Sequence, residues 1–296
     1  MNILFITATR IGDAILSTGV LAELNRRHPD ASITVACGPL AASLFAGFPG
    51  VAEVIEMTKR PLAGHWFDLW RRTVGRHWDL IVDLRRSLTS YFLSARERRR
   101  LGPTDDSRHR AEFLPSVIGL NRALDPVIPG LDPAAPRRVN IVAVAPVAAR
   151  ADKTWPIERF VELVRRLRAG PCRDAAVAVV GGADDARAIA SFTALGVDVL
   201  RWIANPDLKA VAAQLRRTRL YVGNDSGVSH LAAAAGAPTV ALFGPTEPRN
   251  YAPRGLCVRV VRAPLRDGRR TMNDVSVDDV FTAAAELLAS LPTMRH

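Results

Sequence analysis

Residues 223–231, Gly-Asn-Asp-Ser-Gly-Val-Ser-His-Leu, form the most informative stretch of this chain. An apolar run that ends at Val222 precedes them and predicts a buried strand, and Ala232–Ala235 predict a helix that stops at Gly236. A strand that turns through glycine and small polar residues into a helix leaves backbone N–H groups unpaired at the helix N-terminus. These donors and the helix dipole together attract a phosphate group.

Asp225 lies inside this turn and carries a negative charge, so it would repel a phosphate. Its carboxylate is better suited to accept hydrogen bonds from hydroxyl groups beside that phosphate, such as those of a sugar. A phosphate site next to a hydroxyl acceptor indicates a nucleotide-sugar site.

Length and composition favour a globular protein of two domains. The chain has 296 residues, of which 48% are hydrophobic and 23% are charged, and no apolar run is long enough to span a bilayer. Its three cysteines, Cys37, Cys172 and Cys257, form neither a CxxC pair nor a metal-ligand spacing. We therefore expect a cytoplasmic protein with reduced thiols.

The formal net charge of +11 raises the question of anionic partners. The arginines are scattered and no short nucleic-acid-binding motif is present, so we expect no nucleic-acid partner. The densest basic patch is Arg96–Arg100, with Arg85 and Arg86 nearby. It has two interpretations, a solvated helix face or a surface that attracts an anionic acceptor or an anionic membrane.

Apolar strands alternate with amphipathic helices along the chain, which is typical of α/β folds with parallel sheets. The predicted strands are Asn2–Thr7, Ser32–Ala36, Trp78–Leu84, Val139–Val144, Ala175–Val180, Val197–Trp202, Arg219–Val222, Thr239–Phe243 and Leu256–Val261. The predicted helices are Asp13–Arg27, His65–Gly75, Pro156–Leu167 and Val277–Leu291. Closely spaced prolines between Ala123 and Arg138 predict a linker. We expect two doubly wound, Rossmann-like domains, residues 1–135 and 136–296, with a ligand cleft between them.

In the first half, Gly12 follows the first predicted strand and is expected to allow a sharp turn, and Asp13 opens the next helix. A carboxylate at that position stabilises a helix N-terminus, which is the structural interpretation. The functional interpretation is a general base at the carboxyl end of a central strand, where it could take the proton from an attacking hydroxyl.

In the second half, Lys153 follows the first strand and is a compact cation suited to a diphosphate that gains charge as it leaves. Asp184 follows Gly181 and Gly182 at another predicted strand-to-helix turn, where it could cap the helix or hold ribose hydroxyls. His230 is more simply a structural histidine than a base. Residues 244–247, Gly-Pro-Thr-Glu, follow a further strand and could supply more contacts.

Several enzyme classes lack their motifs in this chain. There is no GxSxG, HExxH or P-loop sequence, which disfavours the corresponding hydrolases, metalloproteases and NTPases. No Asp-X-Asp pair is present either. We therefore expect no metal site and no cofactor, so that Lys153 and helix amides would have to stabilise a leaving diphosphate.

Four segments give the chain a resemblance to the bacterial heptosyltransferases, glycosyltransferase family nine, over nearly its whole length. They are residues 10–16, residues 153–156, residues 181–184, and residues 223–227 with His230 and Leu231. The resemblance implies a GT-B fold. It also implies inverting transfer of a heptose from ADP-heptose to an anionic glycolipid acceptor, the inner core of lipopolysaccharide, at the cytoplasmic face of the inner membrane.

The resemblance also assigns roles to residues. Asp13 would be the base, Lys153 would contact the donor phosphates, and Asp184 would lie at the donor ribose. Asp225 would bind the sugar, Ser226 and Gly227 would offer amides to the diphosphate, and Gly12 and His230 would belong to the donor site. Two departures from the family are Gly19, where a proline is common and a looser helix is expected, and Asp184, where a glutamate is common.

Other functions stay open at this point. The chain could be a GT-B transferase that uses another nucleotide sugar, or a sugar-nucleotide epimerase of similar architecture. It could also be a non-catalytic nucleotide-sugar-binding protein.

Overall fold

The computed structural model describes residues 1–103, 105–132, 138–181, 186–194, 196–203 and 207–291. The chain divides into two compact units, Met1–Gly130 with Pro206–Lys209, and Leu131–Asn205 with Ala210–His296. Each unit is built around its own parallel sheet. In the described residues no helix is both long and apolar enough to cross a membrane.

The first unit has a five-stranded sheet in the order β3-β2-β1-β4-β5. Its strands are β1 (Asn2–Ile6), β2 (Ser32–Cys37), β3 (Val51–Glu56), β4 (Trp78–Asp83) and β5 (Ala95–Arg100). Its helices are α1 (Ile11–Arg27), α2 (Ala42–Phe45), α3 (Gly64–Thr73) and α4 (Arg110–Phe113). Strand β1 lies in the middle, and its residues from Ile3 onward are fully buried because a central parallel strand is covered on both faces.

The second unit has a six-stranded sheet in the order β11-β10-β9-β6-β7-β8. Its strands are β6 (Val139–Ala145), β7 (Ala176–Gly181), β8 (Leu200–Ile203), β9 (Thr218–Asn224), β10 (Thr239–Phe243) and β11 (Val258–Arg262). The helices that follow α4 along the chain are α5 (Ile157–Ala169), α6 (Ala186–Ala194), α7 (Leu208–Arg216), α8 (Gly227–Ala234), α9 (Pro248–Tyr251) and α10 (Val277–Ala289). Ser276 caps α10 by accepting a hydrogen bond from the Asp279 N–H.

Both sheets are doubly wound, which confirms the predicted fold class. In the first unit the chain runs from β1 outward to β3 and then returns to β4 on the other side of β1. In the second unit it runs from β6 to β8 and returns to β9 on the other side of β6. The crevice at the carboxyl ends of such a strand pair is where open α/β sheets bind ligands. The carboxyl ends of the pairs β1–β4 and β6–β9 are therefore the candidate ligand-binding positions, one in each unit.

Three predictions of local structure are wrong. Arg96–Arg100 belong to β5, an edge strand, so the basic patch is not a helix face. Gly12 is the second residue of α1 and makes no sharp turn. The helix after Asp225 begins at Gly227, not at Ala232, so its N-terminus lies directly beside the Asp225 turn.

Candidate active site

In the second unit, strand β9 delivers the Asp225-Ser226 turn to the N-terminus of α8. Ser226 is the N-cap in an extended conformation, and the first N–H groups of the helix have no carbonyl of an earlier turn to bind. Ser229 holds the turn from inside the helix, because its Oγ donates to the Asn224 carbonyl at 2.6 Å and lies 3.1 Å from the Tyr221 hydroxyl. This arrangement is a rigid helix N-terminus of the kind that binds phosphate.

Asn224 connects this turn to the loop after β6. Its buried Oδ1 accepts a hydrogen bond from the Trp155 N–H at 3.0 Å, and its Nδ2 donates to the Pro146 carbonyl at 2.9 Å. The Trp155 side chain is fully buried and donates from Nε1 to the Val275 carbonyl at 2.9 Å. Both ends of the loop are therefore fixed, and the position of Lys153 follows from them.

Lys153 and Asp225 form an ion pair beside the N-terminus of α8. The Lys153 Nζ donates to Asp225 Oδ2 at 2.5 Å, and the Thr246 hydroxyl donates to the same oxygen at 2.7 Å. Within the described part of the chain, Asp225 Oδ1 has no hydrogen-bond partner. The side chains are largely buried, so their charges are screened less than at an open surface. The pair therefore offers a cation for an anionic ligand and a carboxylate oxygen for a hydroxyl group.

The structure describes some, but not all, of the other residues predicted to bind the donor. Ser226 and Gly227 lie beside the ion pair, at the start of α8. His230 lies one turn further along α8 and is buried. Asp184 and Gly182 lie outside the described residues. Gly181, the last residue of β7, is described, and the description resumes at Ala186.

Asp13 lines a cavity of about 360 Å³ in the first unit. It is the third residue of α1, directly after β1, and thus lies at the carboxyl edge of the β1–β4 pair. The cavity is also lined by cationic side chains, namely Arg10, Lys59, Arg85, Arg86 and Arg110. A cavity with this excess of positive charge attracts anionic molecules.

A buried carboxylate, Asp83 at the end of β4, directly precedes residues 84–86, which line this cavity. Its Oδ1 accepts a hydrogen bond from the Arg85 N–H at 2.8 Å, and its Oδ2 accepts one from the Ser87 hydroxyl at 2.8 Å. Arg100 Nε lies 3.9 Å from Oδ2. The Arg85 guanidinium donates in turn to the Thr9 hydroxyl at 3.3 Å. Asp83 thus fixes the turn that carries the cavity arginines.

Sequence reasoning missed Asp83 and the connecting role of Asn224. Asp83 is an acidic residue inside the predicted strand Trp78–Leu84 and is followed by two arginines, which is a signal for a buried ion pair. Asn224 gave no separate signal, because its partners Trp155 and Pro146 are distant in sequence. Thr246 was noted only as part of residues 244–247.

Comparison with known proteins identifies the family. The sequence profile of Glycosyltransferase family 9 (heptosyltransferase) matches residues 127–273, which contain both Lys153 and Asp225. The chain belongs to this family. One relative, lipopolysaccharide heptosyltransferase 1 of Pseudomonas aeruginosa, is 28% identical in an alignment that covers 84% of this chain and 80% of that protein.

Solved structures agree with the fold of this family 9 chain. The ADP-heptose lps heptosyltransferase II of Escherichia coli superposes with a TM-score of 0.76 at 22% identity, covering 98% of this chain and 99% of that one. Escherichia coli heptosyltransferase WaaC, solved with ADP, also gives a TM-score of 0.76, at 18% identity over 97% and 100% of the two chains. The family and the GT-B fold predicted from the sequence are confirmed, and the chain is a glycosyltransferase.

Proposed function

We propose that this protein is an inverting, metal-independent heptosyltransferase that moves a heptose from ADP-heptose to the inner core of lipopolysaccharide. The observation that carries the proposal is the Lys153–Asp225 ion pair beside the N-terminus of α8. It lies in the part of the chain that matches family 9, and solved relatives are named for ADP-heptose or were solved with ADP.

The donor is bound by charges and amides of the second unit. The Lys153 ammonium and the N–H groups of Ser226 and Gly227 bind the diphosphate, since all of them favour negative charge. Asp225 Oδ1 accepts a hydrogen bond from a sugar hydroxyl. Asp184 binds the ribose hydroxyls, and His230 completes the donor site of the second unit.

Asp13 acts as the general base in the transfer step. Its carboxylate takes the proton from the acceptor hydroxyl, whose oxygen forms a bond to the anomeric carbon on the face opposite the nucleotide. The bond from that carbon to the phosphate oxygen breaks, and ADP leaves with the electron pair. Attack from the opposite face inverts the anomeric configuration.

Lys153 and the amides of α8 take the charge that develops on the departing ADP, which is why we assign no metal to the reaction. The described residues contain no group of three or more His, Cys, Asp or Glu side chains placed to hold a metal ion.

The acceptor is an anionic glycolipid that enters the cavity around Asp13. The cationic residues of that cavity, such as Arg10 and Lys59, are suited to phosphate and carboxylate groups. Such an acceptor places the reaction at the cytoplasmic face of the inner membrane.

Donor selectivity is tested by calorimetry with ADP, UDP and GDP in the presence of a metal chelator. We expect ADP alone to bind well, and Lys153→Met to raise its Kd by about tenfold to a hundredfold. The loss exceeds that of one contact, because the variant leaves the Asp225 carboxylate facing the diphosphate without its cation. Lys209→Met, on α7, is the matched control and keeps the wild-type Kd.

Transfer itself is tested with Asp13→Asn, which keeps the size of the side chain and removes the base. We expect the turnover of ADP-heptose with acceptor to fall by about two orders of magnitude or more, with the Kd for ADP unchanged. The exposed Asp30→Asn is the control in the same unit. Normal turnover by Asp13→Asn would disprove the base assignment, and preference for UDP or GDP would disprove the donor.

A further inference from the structure

The segment from Ser87 to Phe92 in the first unit exposes its apolar side chains and buries its polar ones. Ser87, Thr89 and Ser90 are buried, whereas Leu88 and Phe92 are 73% and 70% exposed. Tyr91 is exposed as well. Hydrophobic side chains in a folded protein are normally distributed in the opposite way. Such a reversed pattern in a short segment indicates a surface that contacts another protein or a membrane.

Hydrogen bonds from β5 hold this segment in place. Arg98 Nε donates to the Ser90 carbonyl at 2.9 Å, and Arg100 Nη2 donates to the Ser87 carbonyl at 3.0 Å. The Arg100 guanidinium also lies over the Tyr91 ring, 4.1 Å from its centroid. Because the backbone is fixed at both ends, the exposed side chains are presented outward by the fold.

Helix α3 extends the exposed apolar surface. The Trp70 Nε1 donates to the Phe92 carbonyl at 3.3 Å, which places the helix directly beside the segment. On the helix, the exposed Phe67 stacks against Trp70 with ring centroids 5.7 Å apart. Leu69, by contrast, is fully buried against the sheet. We define the aromatic patch as Phe67, Trp70, Leu88, Tyr91 and Phe92.

Exposed cationic residues adjoin the aromatic patch along the chain. Arg71 follows Trp70 on α3, Arg86 precedes the exposed segment, and Arg96 follows it on β5. All three are exposed, and within the described part of the chain none of them forms an ion pair. Exposed aromatic side chains between unpaired arginines match the boundary between anionic headgroups and acyl chains.

We propose that the aromatic patch docks this protein onto the surface of an anionic lipid bilayer. Phe67, Leu88 and Phe92 enter the boundary region, and the adjoining arginines bind the headgroups. The proposal goes beyond the transferase function, because it holds whichever nucleotide sugar is used. A second copy of the chain is a poorer occupant, since two surfaces rich in arginine on chains of net charge +11 repel each other.

The patch also adjoins the cavity that contains Asp13. Arg85 lines that cavity, and its guanidinium lies 5.8 Å from the centroid of the Trp66 ring on α3. Docking through this patch would therefore bring the cavity close to the lipid surface, where a lipid-linked acceptor resides.

Vesicle sedimentation without nucleotide tests the proposal. We expect the full chain to bind vesicles of phosphatidylglycerol and phosphatidylcholine in equal parts, and to bind pure phosphatidylcholine much more weakly. Leu88→Ser with Phe92→Ser should lower the partition coefficient by about tenfold or more. Arg71→Gln with Arg96→Gln should lower it by about fivefold per arginine, and added salt should abolish that difference.

The matched control is Leu256→Ser with Leu265→Ser in the second unit, whose side chains are 67% and 61% exposed. It should bind vesicles like the wild type. The Kd of each variant for ADP, measured by calorimetry, reports folding and donor binding separately from lipid binding. Equal vesicle binding by wild type and Leu88→Ser/Phe92→Ser would overturn the proposal. So would a concentration-dependent dimer that this variant abolishes, because a second copy would then be the occupant.

Discussion

The side-chain carboxylate of Glu23 lies between two arginines on α1. Arg26 donates to both of its oxygens at 2.9 Å, and Arg27 donates to Oε1 at 2.8 Å. Arg27 also donates to the Ile118 carbonyl at 2.9 Å, which ties the end of α1 to the chain after α4. The hydrogen bonds from Arg26 and Arg27 lower the pKa of Glu23 from 4.5 to about 2.

We predict that Glu23→Gln lowers the free energy of unfolding at neutral pH by about 1 kcal/mol. Because folding lowers the pKa of this carboxyl, its contribution is complete above pH 4.5 and is lost as the pH falls towards about 2. Urea titrations across this interval should show the difference between wild type and variant shrinking. The exposed Glu162→Gln on α5 is the control. A difference independent of pH would contradict the prediction.

At the residue scale, the sequence predicts which side chains lie at the end of a strand. It does not predict the hydrogen bonds and ion pairs that connect one loop to another. Lys153 and Asp225 each come shortly after an apolar run, so their common edge is predictable from the parallel sheet alone. Their direct ion pair and the hydrogen bond from Thr246 depend on loop paths that no local pattern encodes. The same is true of Asn224, whose two partners come from the loop after β6.

At the scale of elements, Gly19 allows the chain after α4 to pack directly on α1. A methyl group at this position would lie 2.6 Å from the Asp125 carbonyl oxygen and 3.1 Å from the Leu124 Cβ. The neighbouring Thr18 accepts a hydrogen bond from the Val127 N–H at 2.8 Å. The glycine therefore allows two backbone segments to approach closely. The family resemblance instead predicts a looser helix at this position.

We predict that Gly19→Ala destabilises the first unit by about 1–2 kcal/mol. Alanine gains up to about 1 kcal/mol in helix propensity, but the clash with a backbone carbonyl costs about 1–3 kcal/mol. Urea denaturation measures the change. Gly75→Ala is the control, because nothing lies within 4 Å of the added methyl group. If Gly19→Ala proved as stable as Gly75→Ala, the prediction would be wrong. The Leu124–Val127 segment would then move away without a cost in free energy.

Strand β5 illustrates where prediction of elements stops. The run Ala-Arg-Glu-Arg-Arg-Arg has neither the period of a buried strand nor that of an amphipathic helix, and its charge indicated a solvated face. It becomes a strand because β4 offers an unpaired edge, with Ile81 opposite Arg98 and Val82 opposite Arg99. That partner is set by the sheet, not by the local sequence. Charged edge strands also resist pairing with other chains.

At the scale of the whole molecule, the two units have separate hydrophobic cores. One cluster of the second unit extends from Val142 to Leu287 and includes Trp155 and Phe160. The clusters of the first unit, by contrast, contain residues only up to Leu124. The alternation of strands and helices predicted two such cores, because each doubly wound sheet needs apolar cover on both of its faces.

Separate cores imply that ADP stabilises the two units unequally. A ligand present at a hundred times its Kd adds about 2.7 kcal/mol to the unit that binds it. If Lys153 and α8 hold ADP, core amides of β9 should exchange with deuterium about a hundredfold more slowly with ADP, whereas those of β2 should change far less. Hydrogen-exchange mass spectrometry measures both strands in one experiment, and Lys153→Met should lose most of the effect on β9. Equal protection of β2 and β9 would mean that the units unfold as one cooperative body, and protection of β2 alone would move the nucleotide site to the first unit.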